Sequence, residues 1–142
     1  MNRFFLLQSI LYMIEYLVYS VKRGGIVRVL IADDQADVLN ALRVLLEQQE
    51  MHFVIDEAED ADGLFLKLEK TKPDLLLLDW ELSNRDMADV IPRIRELAED
   101  IRIIAMSVDP EAESQAKAAG VDAFVSKGDS SEPLLSAIYT IR

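Results

Sequence analysis

The chain has 142 residues, of which 51% are hydrophobic, and a formal net charge of -11. This length supports one compact domain with its own core and is too short for two ordinary domains. Because contacts to nucleic-acid phosphates depend on lysine and arginine, a strongly acidic chain argues against direct nucleic-acid binding. The lack of cysteine excludes disulfides and thiolate metal sites, which is compatible with the cytoplasmic location that we expect.

The first 26 residues differ in composition from the rest. Residues 4–21 form an apolar stretch in which Glu15 is the only charged side chain. Its length is at the short limit for a membrane span, but on a helix its polar residues share one face, as in an amphipathic helix. Three interpretations stay open: an extension without a selected role, a helix that packs on the domain or forms a homodimer, and a membrane anchor. We predict a helical extension over residues 1–26 and a folded domain over 27–142.

From Val27 onward, short apolar segments alternate with stretches whose apolar residues recur at helical spacing. Strands are predicted at 27–32, 53–55, 75–78, 102–106 and 123–126, and helices at 36–49, at 61–72, from Asp89, at 110–119 and at 131–141. Asp89 would cap its helix and place Pro92 in the first turn. Five strands alternating with five helices predict a doubly wound α/β fold, in which helices cover both faces of a five-stranded parallel sheet.

Ionisable or hydroxyl side chains follow four of the five predicted strands. Asp33 and Asp34 follow the first strand, Asp79 the third, Ser107 the fourth and Lys127 the fifth. Because the carboxyl ends of parallel strands meet at one edge of a sheet, we expect three carboxylates and an ammonium to share one crevice. Such a cluster suits a divalent cation and a phosphoryl group. No comparable group follows the second strand, which predicts an outer position for it.

These segments resemble a known family. The stretches VLIADDQ at 29–35, LLLLDW at 75–80, MS at 106–107 and AGVDAFVSK at 119–127 resemble the receiver domain of bacterial response regulators. The sequence KGD at 127–129, followed by Glu132, resembles receivers attached to LuxR-type DNA-binding domains. The resemblance covers about residues 27–142. It implies a flavodoxin-like (βα)5 fold with strand order 2-1-3-4-5. It also implies a two-component signalling protein that accepts phosphate and is not a turnover enzyme on an external substrate.

The resemblance assigns Asp79 as the phosphoacceptor, whose carboxylate would attack a phosphohistidine of a sensor histidine kinase or a small acyl phosphate. Asp33, Asp34, Asp79 and the backbone carbonyl of Glu81 would hold Mg²⁺. The site is therefore expected to depend on magnesium.

The remaining residues implied by the resemblance bind the phosphoryl group or report its presence. Lys127 would supply a positive charge to one phosphoryl oxygen, and the Ser107 hydroxyl would donate to another. Phe124 would rotate into the space that Ser107 leaves and so alter contacts with a downstream protein target. Glu81 and Asp109, two residues beyond Asp79 and Ser107, are expected beside the path of a hydrolytic water.

Two loops depart from the family pattern. Ser83 and Asn84 stand where the family usually has a Pro-Gly pair, and Gly128 stands where it usually has proline after the lysine. Glycine does not favour the cis bond that proline permits, so a less rigid loop is expected after Lys127.

Two other functions are compatible with the same sheet. A degenerate receiver would act as a phosphorylation-independent dimerisation or docking module. A phosphatase or phosphonate hydrolase would need a general acid after the nucleophile, and Glu81 has the right spacing for that role. The intact set of three aspartates, Ser107 and Lys127 favours the phosphate-accepting receiver.

Overall fold

The computed structural model of this protein describes residues 25–128 and 130–140. The strands are β1 (Ile26–Ala32), β2 (His52–Ala58), β3 (Leu75–Asp79), β4 (Arg102–Ser107) and β5 (Ala123–Ser126). The helices are α1 (Ala36–Glu47), α2 (Ala61–Thr71), α3 (Met87–Leu97), α4 (Glu113–Ala118) and α5 (Ser131–Thr140), with short 3-10 helices at Leu82–Asn84 and Pro110–Ala112. Apart from Gly25 and Ile26, the predicted N-terminal extension lies outside the described residues. None of the described helices has the length and apolar composition needed to cross a membrane.

The strands form one parallel sheet in the order β2-β1-β3-β4-β5. This confirms the predicted fold and strand order, and β2 occupies an edge as expected. In the register of the sheet, Ala32 lies opposite Leu78, and Ser107 lies opposite Ser126. The carboxyl ends of β1, β3, β4 and β5 therefore lie side by side at one edge of the sheet.

Apolar clusters cover both faces of the sheet. Successive side chains of a strand point to opposite faces, so Leu76 and Leu78 enter one cluster while Leu75 and Leu77 enter the other. The first cluster is completed mainly by α2 and α3, through Leu64, Leu68, Val90, Ile91 and Ile94. The second is completed by α1 and α5, through Leu39, Leu42, Leu46, Leu134 and Ile138. Burial on both faces explains why the third strand is a run of leucines without alternation.

Two helix predictions were wrong in detail. Helix α3 begins at Met87 and is capped by Asp86, whose side chain accepts from the Ala88 N–H at 2.9 Å, so Asp89 is not the cap. The earlier start buries Met87 against the core, and it places Pro92 inside the helix and not in its first turn. The helix predicted over 110–119 is divided into a 3-10 helix and the six-residue α4.

Candidate functional site

Three polar side chains are buried at the carboxyl edge of the sheet. Asp33 is 2% exposed, Asp79 4% and Ser107 0%, and they are the only polar residues in the buried class among residues 25–128 and 130–140. Asp33 directly follows β1, Asp79 ends β3 and Ser107 ends β4. Burying polar groups is costly unless they are paired, so their concentration at one edge indicates a functional site.

The three predicted carboxylates lie together. One oxygen from each of Asp33, Asp34 and Asp79 falls within 4.8 Å of the other two, and Asp34 is exposed at the solvent side of the group. The three oxygens are therefore close enough together that they could hold one Mg²⁺ ion, which prefers oxygen ligands. Hard carboxylate oxygens fit this cation. The Glu81 carbonyl accepts from the Asn84 N–H at 3.2 Å and retains a second lone pair.

Lys127 joins two of these carboxylates. Its Nζ atom lies 2.8 Å from Oδ2 of Asp33 and 3.2 Å from Oδ1 of Asp79, and its side chain is only 10% exposed. The Lys127 N–H also donates to the Ser107 carbonyl at 2.8 Å, which fixes the residue at the end of β5. Burial disfavours the ammonium, but hydrogen bonds and charge attraction from Asp33 and Asp79 outweigh it and raise the pKa of Lys127.

Asp79 uses one carboxylate oxygen for its contacts within the protein. Its Oδ1 atom accepts from the Glu81 N–H at 3.1 Å and pairs with Lys127, whereas no group of the described residues donates to Oδ2. Burial raises the pKa of Asp79, and the Asp33 charge adds to this, while the Glu81 N–H and Lys127 oppose it. The arrangement leaves one oxygen of Asp79 available to an incoming reactant.

The Ser107 hydroxyl has a partner that sequence reasoning did not identify. Its Oγ atom donates to Oε1 of Glu81 at 2.7 Å and accepts from the Asp109 N–H at 3.0 Å. The sequence shows that Glu81 and Ser107 lie near the carboxyl ends of neighbouring strands. It does not show in which direction the exposed Glu81 side chain points.

The two aromatic residues near the site are half-buried. The Trp80 N–H donates to the Met106 carbonyl at 2.8 Å, which extends the pairing of β3 with β4. Phe124, on β5, lies opposite Ala105 of β4. Both rings pack against the cluster that α2 and α3 complete. The structure thus places Phe124 two strands from Asp79, with β4 between them, on the strand that leads to Lys127.

The loop after β3 is anchored to the start of α2. Ser83 and Asn84 adopt left-handed backbone conformations, with φ of 57° and 50°. The Ser83 Oγ atom accepts from the Ala61 N–H at 3.1 Å, and Nη2 of Arg85 lies 3.2 Å from Oδ1 of Asp62. Ser83, one of the two residues that replace the usual Pro-Gly pair, therefore connects the loop after β3 to the start of α2. Beyond Lys127, the Gly128 N–H donates to Ser126 Oγ at 3.4 Å.

The sequence model of the response regulator receiver domain matches residues 29–139. The chain belongs to this family. Among curated relatives it is similar to the phosphate regulon transcriptional regulatory protein PhoB of Escherichia coli strain K12, with 28% identity over 118 residues, 80% of this chain and 51% of that protein. The chain thus spans about half the length of the curated relatives that it matches.

Two solved structures show the same fold. One is a LuxR-family two-component response regulator from Aurantimonas sp. SI85-9A1, with a TM-score of 0.72, 26% identity, and coverage of 80% of this chain and 83% of that chain. The other is the response regulator TrrA of Thermotoga maritima in complex with Mg(2+)-BeF, with a TM-score of 0.72, 23% identity, and coverage of 82% and 99%. The match to the receiver-domain model confirms the predicted class of protein. Receiver domains in general bind Mg²⁺ in an acidic pocket and interact with sensor histidine kinases and downstream effectors.

Proposed function

We propose that this receiver domain is phosphorylated on Asp79 in a reaction that requires Mg²⁺. The proposal is supported above all by the contacts of Asp79: Lys127 and the Glu81 N–H hold Oδ1, and Oδ2 is left without a donor among the described residues. A buried carboxylate with one anchored and one available oxygen has the geometry of a nucleophile. Asp33 and Asp34 lie close enough to share a cation with it.

The reaction is the transfer of a phosphoryl group to Oδ2 of Asp79. A bond forms between this oxygen and phosphorus, while the bond from phosphorus to the histidine nitrogen of the kinase breaks. The electron pair of the broken bond stays on the imidazole nitrogen, which then takes up a proton. With an acyl phosphate donor, the bond from phosphorus to the carboxylate oxygen breaks instead. Transfer of this kind depends mainly on positioning and on neutralising charge.

The residues around Asp79 provide that neutralisation. Lys127 is already held 3.2 Å from Asp79, where its ammonium can also meet a phosphoryl oxygen. Mg²⁺ bound by Asp33, Asp34, Asp79 and the Glu81 carbonyl would supply further positive charge to the transferred group. Ser107 would donate its hydroxyl to another phosphoryl oxygen, because it ends the strand beside β3. Rearrangement at Ser107 and Phe124 would then report phosphorylation to the surface.

We place this reaction in the cytoplasm, with a sensor histidine kinase or a small acyl phosphate as donor and a protein as the downstream target. The net charge of -11 disfavours direct contact with nucleic acid. Three further points stay predictions. They are attachment to a LuxR-type DNA-binding domain, a domain boundary at residue 26, and a homodimer or membrane contact through residues 4–21. Comparing the mass in solution of the full chain with that of a chain starting at Gly25 tests the homodimer.

The phosphorylation test uses the full chain, Mg²⁺ and acetyl phosphate. Intact mass spectrometry should show the mass increase of one phosphoryl group in the wild type and in Asp100→Asn, which removes one exposed charge at the opposite edge of the sheet. Asp79→Asn should show no increase. An unmodified wild type would contradict the proposal and favour the phosphorylation-independent docking module.

A further inference from the structure

The Ser107 hydroxyl makes two hydrogen bonds within the protein, and its proton is used in one of them. It is 0% exposed, it donates its proton to Oε1 of Glu81 at 2.7 Å, and its oxygen accepts from the Asp109 N–H at 3.0 Å. The distance to Glu81 is in the short range typical of a hydroxyl that donates to a carboxylate, which is roughly twice as strong as a bond between neutral groups. The hydroxyl has one proton. It cannot be donated to Glu81 and to a phosphoryl group at the same time.

We propose that Glu81 is a positioning residue that competes with the phosphoryl group on Asp79 for the Ser107 proton. This inference rests on the proposed function. In the unphosphorylated protein, Glu81 holds the hydroxyl of Ser107 in its resting orientation. Ser107 becomes a ligand of the phosphoryl group only after Glu81 has released it. The contact therefore opposes the switched state, and phosphorylation has to overcome it.

The location of Glu81 explains how phosphorylation would break the contact. Its N–H donates to Asp79 Oδ1 at 3.1 Å, so its side chain starts beside the carboxylate that is modified. Phosphorylation adds acceptor oxygens at Asp79, and these can take the Ser107 proton from Glu81. Glu81 is exposed and can turn into solvent, whereas the buried Ser107 hydroxyl needs a new acceptor. The phosphoryl oxygen supplies one.

A simpler role for Glu81 is to repel the phosphoryl group through its charge alone. The two roles differ in their dependence on Ser107. Competition for a proton requires the hydroxyl, so replacing Ser107 with alanine should abolish the effect of Glu81. Repulsion between charges does not require the hydroxyl, so its effect should persist in the Ser107→Ala background. A double-mutant cycle separates these cases.

The binding test measures the affinity of beryllofluoride, an analogue of the phosphoryl group, by calorimetry with full chains in excess Mg²⁺. Glu81→Ala keeps the backbone N–H and carbonyl of residue 81 and should tighten binding by about tenfold or more, the worth of one lost competing hydrogen bond to a charged acceptor. Glu81→Gln, which retains a weaker neutral acceptor, should lie between wild type and Glu81→Ala. Glu99→Ala, which removes an exposed charge at the opposite edge of the sheet, should bind as the wild type does.

The decisive comparison is made in the Ser107→Ala background. Adding Glu81→Ala there should change the affinity less than twofold. An equal gain in both backgrounds would show that Glu81 acts by charge alone and would overturn the inference. So would unchanged or weaker binding of Glu81→Ala in the presence of Ser107.

A second measurement needs no phosphoryl analogue. The unfolding free energies of the wild type, the two single variants and the double variant, obtained in urea without Mg²⁺, should show a coupling between Glu81 and Ser107. If binding is intact and the coupling is absent, the inference fails and the proposed function stands. If the coupling is present but the wild type neither binds beryllofluoride nor accepts phosphate, the proposed function fails, and the competition fails with it.

Discussion

Lys127 and Asp33 form an ion pair in which Nζ lies 2.8 Å from Oδ2, with side chains 10% and 3% exposed. The same Nζ atom lies 3.2 Å from Asp79. One ammonium is thus shared by two carboxylates that are almost completely buried. Without a bound cation, the Lys127 ammonium reduces the repulsion between the Asp33 and Asp79 carboxylates. The stability of the domain should therefore depend on Lys127.

Lys127→Met tests this dependence. The variant leaves two buried carboxylates without their shared positive partner, so we expect the unfolding free energy in urea to fall by about 1–3 kcal/mol in the absence of Mg²⁺. Mg²⁺ should restore part of the loss, because a cation held by the aspartates replaces the missing charge. Lys70→Met, which removes an exposed lysine on α2, serves as the control. Equal stability of wild type and Lys127→Met without Mg²⁺ would contradict the pairing.

Asp79→Asn is expected to stabilise the protein at neutral pH. Burial raises the pKa of Asp79, so the folded state binds a proton more tightly than the unfolded state. Its ionised form therefore destabilises the fold above that raised pKa. Asparagine keeps an oxygen that can accept from the Glu81 N–H and carries no charge. We therefore expect Asp79→Asn to have a higher unfolding free energy than the wild type in urea without Mg²⁺.

The pH dependence gives the sign of this effect. As the pH falls through the raised pKa, the wild-type carboxyl becomes protonated and its destabilising charge disappears. The difference in unfolding free energy between Asp79→Asn and wild type should therefore become smaller as the pH falls toward the ordinary aspartate pKa. A difference that grows as the pH falls would mean that the Asp79 carboxylate is stabilised by folding.

The sequence predicted the positions of the charged groups better than their partners. The run from Leu75 to Leu78 is typical of a strand buried on both faces, which predicted that Asp79 lies at its carboxyl end. In contrast, the cap of α3 fell on Asp86 and not on Asp89, because the packing of Met87 decided the start of that helix. The bond from Ser107 to Glu81 depends on side-chain rotamers at the end of two strands, which no sequence pattern specifies.

Asp34 is predicted to contribute to cation binding and little to stability. It is exposed, yet its carboxylate lies in the group of three oxygens within 4.8 Å. Trp80 directly follows Asp79 and is the only tryptophan of the chain, so its fluorescence can report Mg²⁺ binding. Asp34→Asn should weaken the apparent Mg²⁺ affinity about tenfold or more, because one of few charged oxygen ligands is lost.

The control for Asp34→Asn is Asp100→Asn, which makes the same change of charge at the opposite edge of the sheet. It should leave the Mg²⁺ titration unchanged. If both variants weaken binding equally, the cation responds to the net charge of the protein and not to a site at Asp34. Unfolding in urea without Mg²⁺ should show that both variants are about as stable as the wild type, within about 0.5 kcal/mol.

Ser83 combines a backbone cost with a hydrogen bond, and two substitutions separate them. Its φ of 57° is unfavourable for a residue with a β-carbon, while its Oγ atom accepts from the Ala61 N–H. Ser83→Ala loses the hydrogen bond and keeps the strain, so the unfolding free energy should fall by about 1 kcal/mol. Ser83→Gly also loses the bond but relieves the strain, so it should be close to the wild type.

Asn84→Gly provides the matched control for this prediction. It relaxes the neighbouring left-handed residue, whose φ is 50°, and leaves the bond from Ala61 to Ser83 in place. A gain below about 1 kcal/mol is expected, because asparagine tolerates this conformation better than serine does. If Ser83→Ala and Ser83→Gly are equally destabilised, strain at Ser83 is negligible and the hydrogen bond alone sets the cost. If neither variant loses stability and Asn84→Gly gains none, the anchoring of this loop to α2 does not contribute to the fold.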